Sequence, residues 1–286
     1  MCVIYRGGKK RVAEQIIEAL PQGEMFIDVF GGSGCVSGAA VRSRKYTEVI
    51  YNDLDAQLVG FLKIVRDRLD DLIEYLNATP MGRHLSEEVC ELFKSDNPIE
   101  RAAAVFYCCN FQGQPVATRY PSWLKPRIVS RGNIAHGVGR LENRMNKLRG
   151  VVSVLRQIYF ENRPASKILE LYSKTQDYMY REGDINLVFF LDPPYGTTQD
   201  YPEKFNDTEM LIEFFLQTEW TVALCGESGQ FPELESYEFF PFVDKGGKPT
   251  DTWVRSEERG KSYEQGMYVK IREGETDHRK RQLSLL

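Results

Sequence analysis

The tetrapeptide Asp192-Pro193-Pro194-Tyr195 carries the residue types that most directly suggest chemistry. It follows the apolar run 186–191, which is typical of a buried parallel strand. Ligands of open α/β sheets bind at the carboxyl ends of such strands. The Asp192 carboxylate and the Pro193 carbonyl can each accept one hydrogen bond from an amino group, while Tyr195 offers a ring face to a planar base. Because proline fixes φ, Pro193 and Pro194 hold this corner still. The tetrapeptide therefore predicts a site for an exocyclic amine.

The chemistry expected at this corner is transfer of a small group to the amine. Two acceptors that draw the amine hydrogens out of the ring plane favour a tetrahedral nitrogen, which is a better nucleophile. A strong base is not needed when the group donor already carries a good leaving group, because alignment and electrostatics then suffice for in-line displacement. We therefore predict Asp192, Pro193, Pro194 and Tyr195 as the catalytic residues.

A second segment predicts a nucleoside cofactor. The apolar run 25–30 is followed by the glycine turn Gly31-Gly32-Ser33-Gly34, a small-residue helix over about 36–44, and a strand over 48–51 that ends in Asn52-Asp53. This order is the βαβ unit of a doubly wound sheet, in which a carboxylate at the tip of the second strand can accept hydrogen bonds from both ribose hydroxyls. A nicotinamide nucleotide fits the same frame, so an oxidoreductase is an alternative, but it does not account for residues 192–195.

The surrounding pattern predicts the elements that position both segments. A helical period runs over 54–76, residues 80–110 look helical, and 111–140 are rich in Gly, Pro, Arg and aromatic residues with no clear period. Further elements are predicted as a helix over 141–157, a strand over 158–160, a helix near 165–173, and strands over 220–225, 236–243 and 263–271. The fold class is α/β: a seven-stranded, mostly parallel Rossmann-like sheet with an inserted, mainly helical region.

These elements predict a discontinuous catalytic domain. It comprises residues 1–77 and 151–275, with 78–150 as the inserted target-recognition region and 276–286 as a basic tail.

The motifs resemble those of the Dam-type DNA adenine-N6 methyltransferases. Tyr5-Arg6-Gly7-Gly8-Lys9 looks like the opening segment of that family, Asp28 to Gly34 like its glycine motif, and Tyr51-Asn52-Asp53 like its ribose-binding strand end. The tetrapeptide at 192–195 matches the family's catalytic motif without a change. The matched motifs extend from residue 5 to about residue 270. One departure is Pro164, which stands where many relatives have an acid.

The resemblance implies an enzyme that moves a methyl group from S-adenosylmethionine to N6 of an adenine flipped out of double-stranded DNA. It implies that Tyr5 and Lys9 line the methionine end of the cofactor, that Phe30, Gly32 and Gly34 line its central part, and that Asp53 holds the ribose. The full set of predicted cofactor-binding residues is Tyr5, Gly8, Lys9, Asp28, Phe30, Gly31, Gly32, Ser33, Gly34, Asp53 and Asp192.

The inserted region has a charge balance that suits DNA. Between residues 119 and 156 there are nine Arg or Lys residues and one acid, Glu142, although the whole chain has a net charge of −4. Basic residues interleaved with aromatic ones favour phosphate anchoring with some reading of bases, although a solvated helix face is the alternative. The predicted DNA-binding residues are Arg119, Lys125, Arg127, Arg131, Arg140, Arg144 and Lys147.

The composition of the chain bears on metal binding and on membrane insertion. The six cysteines show no metal-ligand spacing, so no metal is predicted, and no apolar run is long enough for a membrane span. We expect a cytoplasmic monomer, with a cognate restriction endonuclease as a candidate partner. The remaining alternatives are methylation of cytosine N4 or of adenine in RNA, and a DNA-binding protein that keeps the fold without turnover.

Overall fold

A computed structural model describes residues 9–78, 85–111, 134–174, 186–194, 207–243, 251–253 and 262–272. Among them are eight strands, which we number in chain order: β1 (Gly23–Asp28), β2 (Tyr46–Asn52), β3 (Ile158–Glu161), β4 (Leu187–Leu191), β5 (Thr221–Glu227), β6 (Glu238–Pro241), β7 (Asp251–Trp253) and β8 (Ser262–Lys270). The helices of the same ranges are α1 (Ala13–Ala19), α2 (Cys35–Ser43), α3 (Ala56–Asp67), α4 (Leu69–Ala78), α5 (Leu85–Leu92), α6 (Pro98–Phe111), α7 (Ile134–Arg149), α8 (Val152–Leu155), α9 (Ala165–Lys174) and α10 (Thr208–Gln217).

The strands form one sheet in the order β3-β2-β1-β4-β5-β8-β6, and the short β7 pairs with β8 outside this order. The first five strands of the order are parallel to their neighbours, whereas β8 runs antiparallel to both β5 and β6. The order reverses between β1 and β4, and such a switch point opens a crevice at the carboxyl ends of the strands. These observations confirm the predicted α/β class and the mostly parallel Rossmann-like sheet.

Two hydrophobic cores cover the two faces of the sheet. One core includes side chains of α1 to α4 and the inward faces of β1, β2 and β4, and the other includes α9, α10 and the opposite faces of the same strands. Every residue of β4 is buried, as its near-continuous apolar sequence requires for a central parallel strand. The strand that carries the predicted catalytic motif is therefore rigid.

The described part of the predicted insertion packs onto the first core. Residues 102–109 of α6 are all buried, and they belong to the same cluster as Leu62 of α3 and Leu72 of α4. From α7, Leu141, Met145 and Leu148 join this cluster. The division of the chain into a catalytic domain and a recognition insertion stays a prediction.

Several elements differ in detail from those that the sequence predicts. The helical stretch expected over 54–76 is broken at Arg68, which ends α3 with φ −138° and ψ 38° and separates it from α4. The helix expected over 141–157 begins earlier, at Ile134, and is interrupted around Gly150 before α8. Helix α10, strand β7 and a short 3₁₀ turn at Pro232–Leu234 are additions that the sequence pattern does not predict.

Within the described ranges, no helix combines the length and the apolar character that crossing a membrane requires.

Candidate active site

The carboxyl ends of β1, β4 and β5 bring three polar side chains to one edge of the sheet. Asp28, the last residue of β1, pairs with Phe190 of β4, and Leu191 pairs with Leu224 of β5. Asp192 therefore emerges from β4 between Asp28 and Cys225. The hydrophobic positions Phe26, Phe190 and Ala223 precede these residues on the same face of their strands, so the polar residues end a buried apolar face.

Asp192 is held by Lys9 in a nearly buried ion pair. The Lys9 Nζ lies 2.6 Å from Oδ1 and 2.7 Å from Oδ2 of Asp192, although 183 positions separate the two residues in the chain. Their side chains are only 8% and 14% exposed. A carboxylate this enclosed needs a counter-charge, because an unpaired buried charge is strongly destabilising. Lys9 thus keeps the Asp192 carboxylate fixed at the edge of the sheet.

The Cys225 thiol lies beside this ion pair. Burial and then the neighbouring Asp192 carboxylate raise the pKa of Cys225 well above its usual range, and the thiol hydrogen-bonds to Asp192. The sulfur is therefore protonated at neutral pH and acts as a weak hydrogen-bond donor, not as a nucleophile.

Asp28 is a buried carboxyl group that is only half satisfied. Its Oδ2 accepts hydrogen bonds from the Ser37 Oγ at 2.5 Å and from the Ser37 N at 3.2 Å. Its Oδ1 has no hydrogen-bond partner among the described residues. Burial raises the pKa of Asp28 to about 7, the Ser37 hydrogen bonds oppose that rise, and the negative charges of Asp192 and Asp53 add to it. Such an oxygen is suited to accept a hydrogen bond from a cationic ligand.

The glycine turn after β1 forms hydrogen bonds with three consecutive residues at the end of β2. The Tyr51 hydroxyl donates to the Gly32 carbonyl, the Gly31 N donates to the Asn52 carbonyl, and the Gly32 N donates to the Asp53 Oδ2, each at 2.7 Å. Positive φ angles of 49° at Gly32 and 67° at Gly34 let the chain turn sharply into α2.

Glycine at position 31 is required for another reason. A Cβ atom there would lie 2.2 Å from the ring of Tyr51. The close approach of the turn to β2 therefore excludes any side chain.

The Asp53 carboxylate accepts a hydrogen bond from the glycine turn and another from the chain that follows Asp53. Its Oδ1 accepts from the Asp55 N at 2.8 Å, and its Oδ2 accepts from the Gly32 N. Burial raises the pKa of the Asp53 carboxyl, and these backbone donors oppose the rise. The Leu54 backbone is a further donor to this carboxylate, and because its two oxygens have about four acceptor sites in total, capacity for a ligand hydroxyl remains.

Comparison with known proteins assigns the chain to a family. A model of the D12 class N6 adenine-specific DNA methyltransferases matches residues 5–214. The chain belongs to this family. The D12 class enzyme methylates N6 of adenine in DNA at specific sites, and it uses a methyl donor. The family assignment supports adenine N6 in DNA over the oxidoreductase, cytosine N4, RNA and non-catalytic alternatives.

Other comparisons add little to this family assignment. No curated protein matches the chain. A solved structure described as "conserved hypothetical protein- streptococcus pyogenes" is 10% identical, covers 93% of this chain and 97% of its own, and has a TM-score of 0.37. The family assignment does not depend on that likeness.

Most of the predicted site residues that the structure describes lie at one edge of the sheet. Lys9, Asp28 and Asp192 form one cluster, and Gly31, Gly32, Gly34 and Asp53 form the adjoining turn. Phe30 is half-buried against the second core, and the Ser33 hydroxyl donates to the Cys35 sulfur at 3.1 Å, so it points into the protein. Pro193 is buried and Pro194 half-buried. The predicted residues Tyr5, Gly8 and Tyr195 lie outside the described residues.

Four residues that contact this site are absent from the predicted sets of catalytic and cofactor-binding residues. They are Ser37, Tyr51, Asn52 and Cys225. Tyr51 and Asn52 directly precede Asp53, which is a signal that could have suggested them. Ser37 and Cys225 carry no such signal, because their contacts depend on which strands and helices become neighbours.

The structure describes only the carboxyl-terminal part of the basic stretch, residues 119–156. Arg119, Lys125, Arg127 and Arg131 lie outside the described residues, and position 140 belongs to α7. Arg144 is half-buried and Lys147 is exposed. Positions 140, 144 and 147 have the spacing that places residues on one face of a helix, next to the buried Leu141, Met145 and Leu148. Contact between this face and DNA stays a prediction.

Proposed function

We propose that the D12 class enzyme takes its methyl group from S-adenosylmethionine bound at the carboxyl ends of β1 and β2, and transfers it to an amine bound at Asp192. The observation that carries the proposal is the position of Asp28, whose buried Oδ1 lacks a partner among the described residues. It lies between the glycine turn that follows its own strand and Asp192, so one ligand can reach both.

The residues at this edge fit the chemical groups of that donor. An α-ammonium group can donate to the Asp28 Oδ1, and a ribose hydroxyl can donate to the Asp53 carboxylate. The glycine turn allows a ligand to approach the backbone closely, because it carries no large side chains. When bound, S-adenosylmethionine supplies a methyl group on a sulfonium centre that leaves readily. Tyr5 and Gly8 belong to the same proposed site.

Asp192 and Pro193 accept the hydrogens of the target amine. Lys9 contacts both Asp192 oxygens, and a carboxylate offers about four acceptor positions in total, so Asp192 can also accept an N6 hydrogen. The Lys9 cation supplies the counter-charge that a partly buried carboxylate requires. Tyr195 stacks on the base. An adenine inside a duplex cannot reach this edge, so the base is flipped out at a cost of a few kcal/mol.

The test is replacement of Asp192 by asparagine or alanine. Either change removes a charged acceptor from the reacting amine, so we expect methyl transfer to duplex DNA to fall by roughly 10²- to 10³-fold or more. Binding of S-adenosylmethionine, measured by calorimetry, should change far less. Mass spectrometry of digested DNA should find N6-methyladenine as the product.

A matched control is Asp67→Asn, which removes an exposed carboxylate that pairs with Arg66 far from this edge. It should keep wild-type turnover. Normal turnover in the Asp192 variants would remove Asp192 from the reaction.

The partner predictions extend this proposal. We propose that the enzyme acts on double-stranded DNA as a monomer, which sedimentation of the purified protein with and without a DNA duplex can test. A cognate restriction endonuclease remains a prediction, and nuclease genes adjacent to the coding sequence would support it.

A further inference from the structure

Asn52 connects the carboxyl ends of three neighbouring strands through one buried side chain. Its side-chain Nδ2 donates to the Val29 carbonyl after β1 and to the Arg163 carbonyl after β3, both at 3.0 Å. Its Oδ1 accepts from the Arg163 N at 2.9 Å. The residue ends β2 itself and is 1% exposed. Both amide hydrogens and the amide oxygen are therefore used: one hydrogen bond goes to the segment after β1, and two go to Arg163 after β3.

Two of the segments that Asn52 joins carry the proposed donor contacts, and the third, after β3, is bonded to one of them. Val29 lies two residues before Gly31, whose N donates to the Asn52 carbonyl at 2.7 Å. Asp53 is the next residue in the chain. The loop after β3 is tied back to it, because the Asn162 Nδ2 donates to the Asp53 and Leu54 carbonyls at 2.7 and 3.1 Å. A shift at Asn52 would move all three loops relative to one another.

We propose that Asn52 is a positioning residue that sets the spacing between the glycine turn, Asp53 and the loop after β3, and thereby the affinity of the enzyme for its methyl donor. This inference rests on the proposed function of the same edge as the donor site. Asn52 touches neither the donor nor the target base, and its role is exerted through Val29, Arg163 and Asp53.

A second buried asparagine provides a matched comparison. Asn186 is 7% exposed, and its Nδ2 donates to the Gln22 carbonyl at 2.9 Å. It also holds the start of β1, because its carbonyl accepts from the Glu24 N at 3.0 Å. The Asn186 side chain therefore links β4 to the segment before β1 at the amino ends of the strands, the opposite edge of the sheet, through one hydrogen bond where Asn52 makes three. A purely structural role predicts a loss of stability in both variants and no specific change in donor affinity, whereas the proposed role predicts a loss of donor affinity for Asn52 alone.

The variants are Asn52→Asp and Asn52→Ala, with Asn186→Ala as the control. In Asn52→Asp the acceptor for the Arg163 N remains, but a carboxylate then faces the carbonyls of Val29 and Arg163. In Asn52→Ala all three hydrogen bonds are lost, and their buried partners are left unpaired. We expect the dissociation constant for S-adenosylmethionine to rise roughly tenfold or more in both, which is the scale of one or two lost hydrogen bonds. The kcat at saturating donor and the affinity for duplex DNA should stay within about threefold of wild type.

The pH dependence of donor affinity in the Asn52→Asp variant tests the positioning role. When the introduced carboxyl group of Asn52→Asp is protonated, it can donate one hydrogen bond again. The donor affinity of this variant, divided by that of wild type, should therefore recover as the pH is lowered from 8 to 6. The same ratio for Asn52→Ala should not change with pH. The ionisable neighbours Asp53, Glu161 and Arg163 are common to all these proteins; the introduced carboxylate also repels Asp53, and protonation relieves that repulsion together with the lost hydrogen bond.

The measurements are calorimetric titration with S-adenosylmethionine and thermal unfolding of each full-length protein. Asn186→Ala should lower the unfolding temperature while it leaves the donor dissociation constant unchanged. If Asn52→Asp does not fold, Asn52→Ser takes its place, because its hydroxyl can keep one of the hydrogen bonds and should give an intermediate loss. Equal donor affinity in wild type and in the Asn52 variants would overturn the inference. So would an equal loss in Asn186→Ala. Absence of S-adenosylmethionine binding in wild type would instead overturn the proposed function.

Discussion

Replacement of Asp28 by asparagine should make the protein less stable in acid and more stable at pH 8. The folded protein holds a proton on Asp28 up to about pH 7, whereas the ordinary pKa of this carboxyl is 3.8. Between these values the folded state binds more protons than the unfolded state. The free energy of unfolding therefore falls as the pH rises from about 4 to about 7. The Asp28→Asn variant lacks this titration.

The magnitude follows from the size of the pKa shift and from the contacts of the side chain. A rise from 3.8 to about 7 corresponds to about 4 kcal/mol of stability lost on ionisation. An asparagine can still accept from Ser37, but its amide nitrogen would occupy the position of the Oδ1 that has no partner among the described residues. That unpaired donor costs about 1–3 kcal/mol at every pH. The net expectation is a loss of about 1–3 kcal/mol at pH 4 and a gain of about the same size at pH 8.

Urea unfolding of both proteins without donor, at several pH values between 4 and 8, measures this difference directly. Asp53 and Asp55 also have raised pKa values and titrate in both proteins; because Asp28 and Asp53 repel each other, the comparison reports the titration of Asp28 together with its coupling to Asp53. Asp67→Asn serves as a control, since its exposed carboxylate should not produce a change of sign. A difference between wild type and Asp28→Asn that is the same at pH 4 and pH 8 would refute the reasoning. At pH 8, where Asp28 is ionised, the variant should also bind S-adenosylmethionine roughly tenfold more weakly, because the donor's ammonium loses a charged acceptor.

Three further predictions concern the glycine turn, the ribose site and the basic stretch. Gly31→Ala should lose about 1–3 kcal/mol of stability in thermal or urea unfolding, because its Cβ would overlap the neighbouring tyrosine ring, and unchanged stability would show that the turn can relax. Asp53→Ala should weaken donor binding in calorimetry by about 1.5–3 kcal/mol or more, since the carboxylate also holds the turn, while DNA affinity stays the same. Replacing Arg140, Arg144 and Lys147 together by alanine should flatten the dependence of log DNA affinity on log salt by about 0.9 per lost phosphate contact. An unchanged slope would make that helix face a solvated surface.

Local patterns predict the central strands and the first βαβ unit well. The apolar run before Asp192 is typical of a buried strand, and the turn at Gly31 to Gly34 marks the change from strand to helix. Helix α10 escapes prediction because its apolar residues are nearly continuous and give no clear period. Strand β7 has three residues, too few for an alternating pattern, and it forms by pairing with β8. The break at Arg68 gives no signal because the apolar period continues through it.

The candidate site is predictable where a motif carries it and not where packing creates it. Asp28, Asp53 and Asp192 lie in recognisable segments. The partners that fix them come from distant parts of the chain: Arg163 lies 111 positions from Asn52, and Lys9 lies 183 positions from Asp192. Such pairs depend on the order of the strands in the sheet, which no single segment encodes.

The position of β8 in the sheet determines when the outer edge of β5 can be paired during synthesis of the chain. Strand β5 lies between β4 and β8, so the residues that close its outer edge are translated after those of every other strand. Until residues 262–270 have left the ribosome, β5 presents an unpaired edge beside the strand that leads to Asp192. An unpaired edge strand is a surface on which other chains can add. A nascent chain stalled before β8 should therefore depend on chaperones more than its predominantly parallel sheet alone would require.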